Sequence, residues 1–449
     1  MPRARASRAA ALPRLTRRGG TLLIGGLVLF GVTLWFDSRD VMLLAFVGIV
    51  LPLVALVYVA FSVPRLAVRR SFVPAVVEAG SVARVSLVVQ NRARRAFDGA
   101  RWSETVPPGV AGPPESVLPA LGAWEQTLPS GDDTARLEYR IRPGQRGVYE
   151  VGPLRVTTTD PFGLARVSRD AGTPQELVVT PQVIPLDPAV GTAAAVDGVL
   201  HGLQRRTHPN ADEFIAREYR HGDPLRRVHW PATARRGELM VRDEEQRGDP
   251  EARLVLDTTL AGRADHGSVR TDEDRRHFGF ELAVEIVASV GVHLIERGFR
   301  LRADRLDDPV HGALSEASVD GYRLPGGDRQ LLEDLARLAN PCVARRRRHA
   351  DGAPLTVVAT EARMPGYAVL VDPDATDAQH LVALRPALSP AIAFAVPGVD
   401  ARVVEALEEA DWQVVVVRRI ADLAGVWEEL GHARGSAAHR SGQRGADAS

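Results

Sequence analysis

The chain has 449 residues, a length typical of about two or three domains. Its 56 basic residues balance 56 acidic ones, so the net charge favours neither nucleic acid nor an acidic substrate as a partner. No lysine occurs and Cys342 is the one cysteine; this excludes a Gly-Lys-Ser/Thr phosphate loop, a Schiff-base catalyst and an intrachain disulfide, and it fits a reducing compartment.

Two apolar runs near the N-terminus predict two membrane-spanning helices within residues 21–63. Val41–Val63 is long enough to cross a hydrocarbon core of about 30 Å, and the two glycines before Thr21–Phe36 can extend the shorter first run. The short segment Asp37–Asp40 separates the runs, which predicts a tight helical hairpin. A signal peptide is the alternative for the first run, but no small-x-small cleavage pattern follows it and the second run begins at once.

Arginines flank both ends of this predicted hairpin. Residues 1–20 form a basic tail that contains no acidic residue, and further arginines follow the second run. The flanking residues are Arg3, Arg5, Arg8, Arg14, Arg17, Arg18, Arg65, Arg69 and Arg70. Because positive flanks stay on the cytoplasmic side, we expect a multi-pass protein of the cytoplasmic membrane with both termini and the soluble domains in the cytoplasm.

Residues 66–185 predict a β-sandwich-like domain. In Ser81–Asn91 apolar residues fall at every second position, and Leu137–Ile141 has the same period. Asp160–Gly163 has the residues that a type I turn prefers. Short strands separated by Gly/Pro turns, with no helical period between them, are typical of a sandwich.

The remaining chain divides by composition. Residues 186–209 are predicted to be a linker, residues 210–246 hold the densest charge, and residues 251–430 alternate short apolar strands with helical segments. This alternation predicts a mainly parallel sheet with helices on both faces. Residues 431–449 predict a disordered tail. The basic run Ala344–Ala350 indicates a solvated loop, with contact to an acidic partner or anionic lipid as the alternative.

The charged segment 210–246 allows several interpretations. His221, Asp223 and His229 are metal-ligand types, but their spacing matches no recognised metal motif. Glu218 and Asp223 are candidates for acid and base, but neighbouring arginines would keep both ionised. We favour an ion-paired structural network, with which a docking surface is compatible. Its members would be Arg217, Glu218, Arg220, Asp223, Arg226 and Arg235, with Tyr219 and Trp230 packed beneath.

The same segment has clear local signals. Asp223 precedes a proline and predicts a helix start. Pro231 interrupts that helix, Pro231–Arg236 can restart it, and Gly237 is expected to end it. Glu238–Glu244 then predicts a strand. We expect Trp230 to be a buried anchor in this arrangement.

The stretch Arg217–Glu245 resembles the signature of the bacterial family catalogued as domain of unknown function 58. The matching positions are Glu218, Tyr219, Gly222, Asp223, Arg226, Trp230, Ala234, Arg235, Gly237, Glu238 and Leu239, and we add Arg227 as a candidate interaction residue. Arg146–Leu164 and the N-terminal hairpin are also similar to the family. The chain departs from the pattern at His229 and Pro231, where the family has an aspartate and a non-proline residue.

The resemblance implies a von Willebrand factor A-like domain after the signature. The expected architecture is therefore a membrane-anchored multidomain protein with a transmembrane hairpin, a β-sandwich-like region and a Rossmann-type α/β domain. A-like domains often bind Mg²⁺ through Asp-x-Ser-x-Ser after the first strand. Asp257 and Thr259 fall at the first two ligand positions, but Ala261 has no oxygen to offer. We therefore expect no metal and no other cofactor, with a degenerate divalent-cation site as the alternative.

Members of the family are commonly encoded beside MoxR-type AAA+ ATPases and often beside transglutaminase-like membrane proteins. The resemblance therefore implies a non-enzymatic, membrane-anchored scaffold or adaptor that binds such an ATPase or its client in complex assembly or envelope processes. The absence of lysine excludes the chain as the ATPase itself. One alternative is a hydrolase acting at the charged segment, although no Gly-x-Ser-x-Gly or zincin motif occurs. The other is a structural envelope component without an ATPase partner.

Overall fold

The chain divides into two compact units, Met1–Thr180 and Pro181–Ser449. The computed structural model describes residues 12–36, 39–97, 99–124, 133–187, 216–218, 230–242, 250–258, 269–306, 314–315, 319–339 and 364–430. For residues 216–218, 231–232, 241–242 and 269–277 it describes the backbone alone. The first part of the basic tail, nearly all of the predicted linker, the basic run Ala344–Ala350 and the tail 431–449 lie outside the described residues.

Two N-terminal helices are long and apolar enough to span a membrane. Helix α1 is Arg17–Phe36 and helix α2 is Arg39–Phe61. They approach most closely at two small residues, since a Cβ on Gly26 would lie 2.8 Å from the carbonyl carbon of Gly48. Most of the other apolar side chains on both helices are exposed within the chain, as expected of helices whose outer surface meets lipid.

One strand, β10 (Ala165–Ala171), contacts α2 directly and is linked to the start of α1 through a second strand. The short strand β1 (Arg14–Leu15) pairs with β10 in antiparallel fashion. Thr16 then caps α1, because its hydroxyl accepts a hydrogen bond from the Gly19 backbone N–H at 3.2 Å. Arg169 on β10 donates hydrogen bonds of 2.5 to 3.3 Å to backbone carbonyls at the end of α2, where a cation opposes the negative end of the helix dipole. Burial lowers the pKa of Arg169 from its ordinary value.

The β domain of the first unit is built from three sheets. Its other strands are β2 (Leu66–Val73), β3 (Val76–Glu78), β4 (Ala83–Asn91), β5 (Ala100–Glu104), β6 (Ser116–Leu118), β7 (Thr134–Ile141), β8 (Gly147–Val151), β9 (Leu154–Thr159) and β11 (Gln175–Thr180). The strand orders are β1-β10-β9-β5-β6, β3-β11-β8 and β2-β4-β7. Buried side chains from all three sheets form one core.

Local sequence signals in this domain are confirmed. Along β4 the side chains of Val85, Leu87 and Val89 are buried and the residues between them are more exposed. The Asp160–Gly163 segment forms the expected turn, with the Gly163 N–H donating to the Asp160 carbonyl at 3.0 Å. The Asp160 carboxylate also accepts hydrogen bonds from the backbone N–H groups of Phe162 and Ala165, at 2.9 and 2.6 Å.

A buried ion pair lies in the core of the β domain. Arg70 donates to Glu104 at 2.6 Å, and the two side chains are 2% and 0% exposed. Arg70 also donates to the Thr173 carbonyl at 3.0 Å. Its guanidinium lies against Gly152, where a Cβ would come within 2.6 Å of it. Burial raises the pKa of Glu104 although the charge of Arg70 opposes that shift. The prediction that Arg70 belongs to the positive membrane flank is therefore wrong, because its charge is balanced inside the domain.

The second unit contains a parallel sheet. Its elements in chain order are β12 (Ala216–Glu218), α3 (Trp230–Arg236), β13 (Met240–Arg242), β14 (Glu251–Leu256), α4 (Val269–Glu296), β15 (Arg300–Arg305), α5 (Gly327–Arg337), β16 (Met364–Leu370), α6 (Ala375–Leu384), β17 (Leu388–Ala395), α7 (Ala401–Glu409), β18 (Gln413–Val416) and α8, residues 423–430. The order of the sheet is β15-β14-β16-β17-β18, and all four pairings are parallel.

Helices cover both faces of this sheet, as predicted. Leu254 and Leu256 of β14 belong to a core formed with α4, α5 and α8. Val255, between them, belongs to the opposite core with α6 and α7. Neighbouring residues of one strand therefore enter different cores, which explains why these strands read as continuous apolar runs.

Helix α4 is a core helix. Its segment Phe278–Glu296 is the third stretch that is long and apolar enough to span a membrane, but 72% of it is buried within the chain. Phe280 and Val287, on the apolar stripe of its sequence, are buried, and residues on other faces, such as Ile286 and Ile295, are buried as well. The sheet and neighbouring helices thus cover the surface that lipid would otherwise cover.

One titratable group is half-buried at the end of α4. The ring of His293 lies edge-on to the ring of Trp427, with 5.3 Å between their centroids. Burial lowers the pKa of His293 to about 4, and the positive charge of Arg297 contributes in the same direction. This histidine is therefore neutral in the folded protein at physiological pH.

Candidate functional site

The charged signature forms a small strand–helix–strand arrangement. Strand β12 pairs with β13 in antiparallel fashion, with Glu218 opposite Met240. Of the predicted site residues, the structure describes Glu218, Trp230, Ala234, Arg235, Gly237, Glu238 and Leu239, the first by its backbone alone. The predicted residues Tyr219, Gly222, Asp223, Arg226 and Arg227 lie outside the described residues.

The end of α3 follows the predicted signals. Gly237 has a φ of +78°, a conformation that glycine adopts at helix ends without steric cost. Its N–H donates to the Thr233 carbonyl at 2.9 Å. The hydroxyl of Thr233 accepts a hydrogen bond from the Met240 N–H at 3.0 Å, and this bond ties the helix to the following strand. The predictions of a helix ended by Gly237 and of a strand after it are confirmed.

The tryptophan of this segment does not lie in a core. Trp230 is 68% exposed, whereas Met240 is 1% exposed. The prediction of a buried tryptophan anchor is therefore wrong, and among the described residues of the segment the methionine on β13 has that place. An indole at the first position of a short helix has few neighbours, because only one turn of the helix can pack over it.

Exposed residues of α3 and of the turn after it form what we call the signature surface. It comprises Trp230, Ala234, Arg235, Arg236, Glu238 and Leu239, all exposed. Within the described residues, Arg235 and Glu238 take part in no ion pair, and the other members of the predicted ion-pair network lie outside them or are described by backbone alone, so the network stays a prediction. Exposed tryptophan and arginine are the residue types that protein interfaces enrich most.

A second chemical feature lies at the carboxyl end of the parallel sheet. From β14 the chain passes to β15 on one side and then to β16 on the other, so the edge between β14 and β16 is the topological switch point, where doubly wound folds commonly place ligands. Asp257 follows β14 here and is 0% exposed. Its Oδ2 accepts hydrogen bonds from the backbone N–H groups of Val371 and Asp372, at 2.9 and 2.8 Å. Asp257 thus joins the ends of the two strands.

The degenerate metal site was predicted at Asp257 and Thr259. Thr259 and Ala261 lie outside the described residues. Among the residues that the structure describes, no group of three or more His, Cys, Asp or Glu side chains is placed to hold a metal ion. The Oδ2 atom of Asp257 holds two backbone N–H groups, which is a structural use of the carboxylate.

One element beside this edge was missed in the sequence. Asp374 caps α6: its carboxylate accepts hydrogen bonds from the N–H groups of Thr376 and Asp377, and the Asp377 side chain accepts one from the Asp374 N–H. An acidic residue three positions after an N-cap is a variant of the capping box, so the stretch Asp372–Asp377 carried a usable signal.

The comparisons with known proteins agree with the signature. A family model described as "Protein of unknown function DUF58" matches residues 215–310, a range that includes the signature surface and Asp257, and this match supports the assignment to that family. No match was found among curated proteins.

Solved structures give only weak likenesses. The CARDB domain of a Pyrococcus furiosus protein in complex with di-metal ions is 15% identical, covers 26% of this chain and 90% of its own, and has a TM-score of 0.18. The Pseudomonas fluorescens alkylpurine DNA glycosylase AlkC, bound to DNA containing an abasic site analogue, is 14% identical, covers 36% of this chain and 45% of its own, and has a TM-score of 0.17. TM-scores this far below 0.5 establish neither a fold nor a function for this chain.

Proposed function

We propose that this protein is a non-enzymatic, membrane-anchored scaffold or adaptor whose α/β domain binds a MoxR-type AAA+ ATPase or that ATPase's client, in complex assembly or envelope processes. The observation that carries the proposal is the 68% exposure of Trp230 within the segment that matches the family. A large aromatic side chain left in solvent, in a segment with two exposed arginines, has the composition of an interface hot spot. A transglutaminase-like membrane protein is the second partner that the family resemblance implies.

The α/β domain is, in this proposal, von Willebrand factor A-like. The parallel sheet with helices on both faces supports this, as does an aspartate directly after β14. In this chain the aspartate joins β14 to β16 through backbone N–H groups. The domain would then use its surface, without a metal ion, to bind its partner.

The two N-terminal helices form a transmembrane hairpin in this proposal, with both soluble units in the cytoplasm. Support comes from β10, which contacts the start of α1 through β1 and the end of α2 through Arg169. The start of α1 and the end of α2 therefore both lie close to β10. Arg17 and Arg65 remain exposed at these ends, which fits a cytoplasmic position. Reporter fusions at the C-terminus test this, since activity of a periplasmic reporter would contradict it.

Co-purification tests the docking role of the signature surface. The full chain and a MoxR-type ATPase from the same organism would be produced together and captured through the full chain. Trp230→Ala should weaken capture by about thirtyfold or more, because truncation of a hot-spot tryptophan costs about 2 kcal/mol or more of binding. It should leave the melting temperature nearly unchanged, because the side chain is exposed and surface substitutions typically change stability by about 0.5 kcal/mol or less.

Val319→Ala and Arg402→Ala are the matched controls. Val319 is also 68% exposed, Arg402 is an exposed arginine, and both lie outside the family match. Neither change should affect capture. A folded Trp230→Ala variant that captures the ATPase at full strength would remove the signature surface as the docking site. If the wild-type chain captures no ATPase, the ATPase partner itself is ruled out and the structural envelope role remains.

A further inference from the structure

Two arginines face each other across a strand pair beside the apolar helices. Arg14 of β1 lies directly opposite Arg166 of β10 in the antiparallel register. Both are exposed, and neither takes part in an ion pair within the described residues. Like charges at directly opposed positions destabilise a strand pair. An anion placed between them would turn this repulsion into two charge-assisted hydrogen-bonding contacts.

The pair lies at the level where α1 begins. Thr16, two residues after Arg14, donates its hydroxyl to the Gly163 carbonyl at 2.6 Å. Gly19 is packed so closely that a Cβ there would lie 2.1 Å from the Leu164 carbonyl oxygen. The segment that leads into β10 is therefore fixed against the first turn of α1. The apolar run starts at Thr21, about one helical turn further on, so the arginines border the part of the chain expected to meet lipid.

An exposed aromatic side chain lies in the turn that leads into β10. Phe162 is 66% exposed at the tip of the Asp160–Gly163 turn. The Asp160 carboxylate fixes this turn by accepting the Phe162 N–H at 2.9 Å, and Gly163 provides a φ of +72°. A phenylalanine held on a rigid turn, next to the end of an apolar helix, is well placed to insert at the boundary between headgroups and acyl chains.

Apolar packing continues from this turn onto α2. Leu164, Ala165 and Val167 are buried together with Ala55 and Val59 of α2. One face of β10 thus packs on α2, while the opposite face presents Arg166 to solvent. The cationic pair and the helix contact are consequently parts of one rigid structure.

We propose that Arg14 and Arg166 bind the phosphate of an anionic phospholipid headgroup, with Phe162 at the acyl boundary beside them. The occupant is a lipid of the phosphatidylglycerol class. Two guanidinium groups match the charge and the oxygens of a phosphodiester, and continuity with the two apolar helices places lipid at this position. The inference rests on the membrane anchoring in the proposed function and is independent of the ATPase partner.

Lipid titration tests the proposal. The full chain in a neutral detergent would be titrated with dioctanoyl-phosphatidylglycerol, and binding followed by thermophoresis. Arg14→Gln/Arg166→Gln should weaken binding by about twenty-five-fold, since each arginine near an anionic lipid contributes about fivefold. Phe162→Ala should weaken it to a smaller extent, because the acyl contact is lost and the headgroup contacts remain. Dioctanoyl-phosphatidylcholine should bind weakly to all variants.

The chain supplies a matched control pair. Arg84 of β4 lies opposite Arg140 of β7, both are exposed, and Arg84 pairs with the end of β2 that is farther from α2. Arg84→Gln/Arg140→Gln should leave phosphatidylglycerol binding unchanged. Equal losses in both double variants would overturn the site in favour of general charge attraction. Competition by inorganic phosphate at similar concentration would overturn the lipid as occupant in favour of a free anion. If carbonate washes the wild-type chain off membranes, the proposed membrane anchoring is wrong. If the chain stays anchored but shows no preference for phosphatidylglycerol, only the proposed lipid site is wrong.

Discussion

Glu104 in the first unit and Asp257 in the second are both buried carboxylates, and they are held differently. Glu104 in the β domain receives an arginine side chain from β2, 34 positions away in the sequence. Asp257 in the α/β domain receives backbone N–H groups from the segment that follows β16. The first carboxylate depends on one particular residue type elsewhere in the chain, whereas the second depends on the positions of two strand ends.

The difference decides what a substitution should do. A buried charge that loses its partner side chain is left uncompensated, and this is costly. A carboxylate held by backbone N–H groups can be replaced by an amide that still accepts hydrogen bonds. The two sites therefore predict different patterns of sensitivity in the same protein.

The largest expected effect is in the β domain. Arg70→Ala and Glu104→Ala should each lower the free energy of unfolding by about 3–5 kcal/mol, because either change leaves a buried charge without its partner. The double variant Arg70→Met/Glu104→Leu should be more stable than either single variant. Urea unfolding of the full chain in mild detergent would measure this.

An exposed pair provides the control. Arg155 and Asp170 are 3.3 Å apart, with side chains 53% and 51% exposed. Arg155→Ala should therefore cost about 1 kcal/mol or less. If Arg70→Ala were no more harmful than Arg155→Ala, the comparison between the two buried carboxylates would fail.

A smaller effect is expected at the switch point of the parallel sheet. Asp257→Ala should cost about 1–3 kcal/mol, because backbone N–H groups lose their acceptor. Asp257→Asn should cost less, since its side-chain oxygen can still accept. Melting temperatures would compare the two variants. Addition of Mg²⁺ should not raise the melting temperature of the wild type, and a rise that Asp257→Ala abolishes would show that the carboxylate holds a metal.

A further expected effect is a difference in pH dependence. The pKa of His293 is lowered from 6.5 to about 4 by burial, so its contribution to stability is present above pH 6.5 and is lost as the pH falls towards 4. The pKa of Glu104 is raised above 4.5, so its contribution is present at low pH and is lost as the pH rises. The two units thus contain groups whose contributions to stability change with pH in opposite directions.

Melting temperatures measured across this pH range test the two predicted directions of pH dependence. His293→Gln should reduce the rise in melting temperature between about pH 4 and 6.5, because a neutral amide cannot be charged. Glu104→Gln should change the slope in the opposite direction, on top of its general loss of stability. Parallel slopes in wild type and both variants would mean that neither group controls the pH response.

Local patterns predicted much of the architecture. The period of two along β4, the apolar stripe of α4, the Asp160–Gly163 turn and the end of α3 at Gly237 all follow from residue order within a few positions. Strand and helix geometry repeats over such short distances, so the sequence carries the information directly. Helix α6 was missed because we looked for an apolar period. The signal for this helix lies instead in the capping residue Asp374.

The residues whose environment we predicted wrongly are those whose neighbours depend on distant parts of the chain. Arg70 looked like a membrane flank because it follows two other arginines after α2, but the order of strands brings Glu104 to it. Trp230 looked like an anchor because it is large and apolar, but the described helix around it is a single short one and leaves it exposed. Neither outcome follows from composition.

The sequence by itself determined the two apolar helices, the alternating strands, the turn residues and the exclusion of lysine chemistry, because each depends on covalent structure or on neighbours within a helical turn or a strand. Only the tertiary structure decided which charges are buried and paired, that Asp257 joins two strand ends, and that Arg14 faces Arg166 beside an exposed Phe162. Burial and pairing arise when segments far apart in the chain exclude water together, and the energy of a charge depends on that exclusion more than on its place in the sequence.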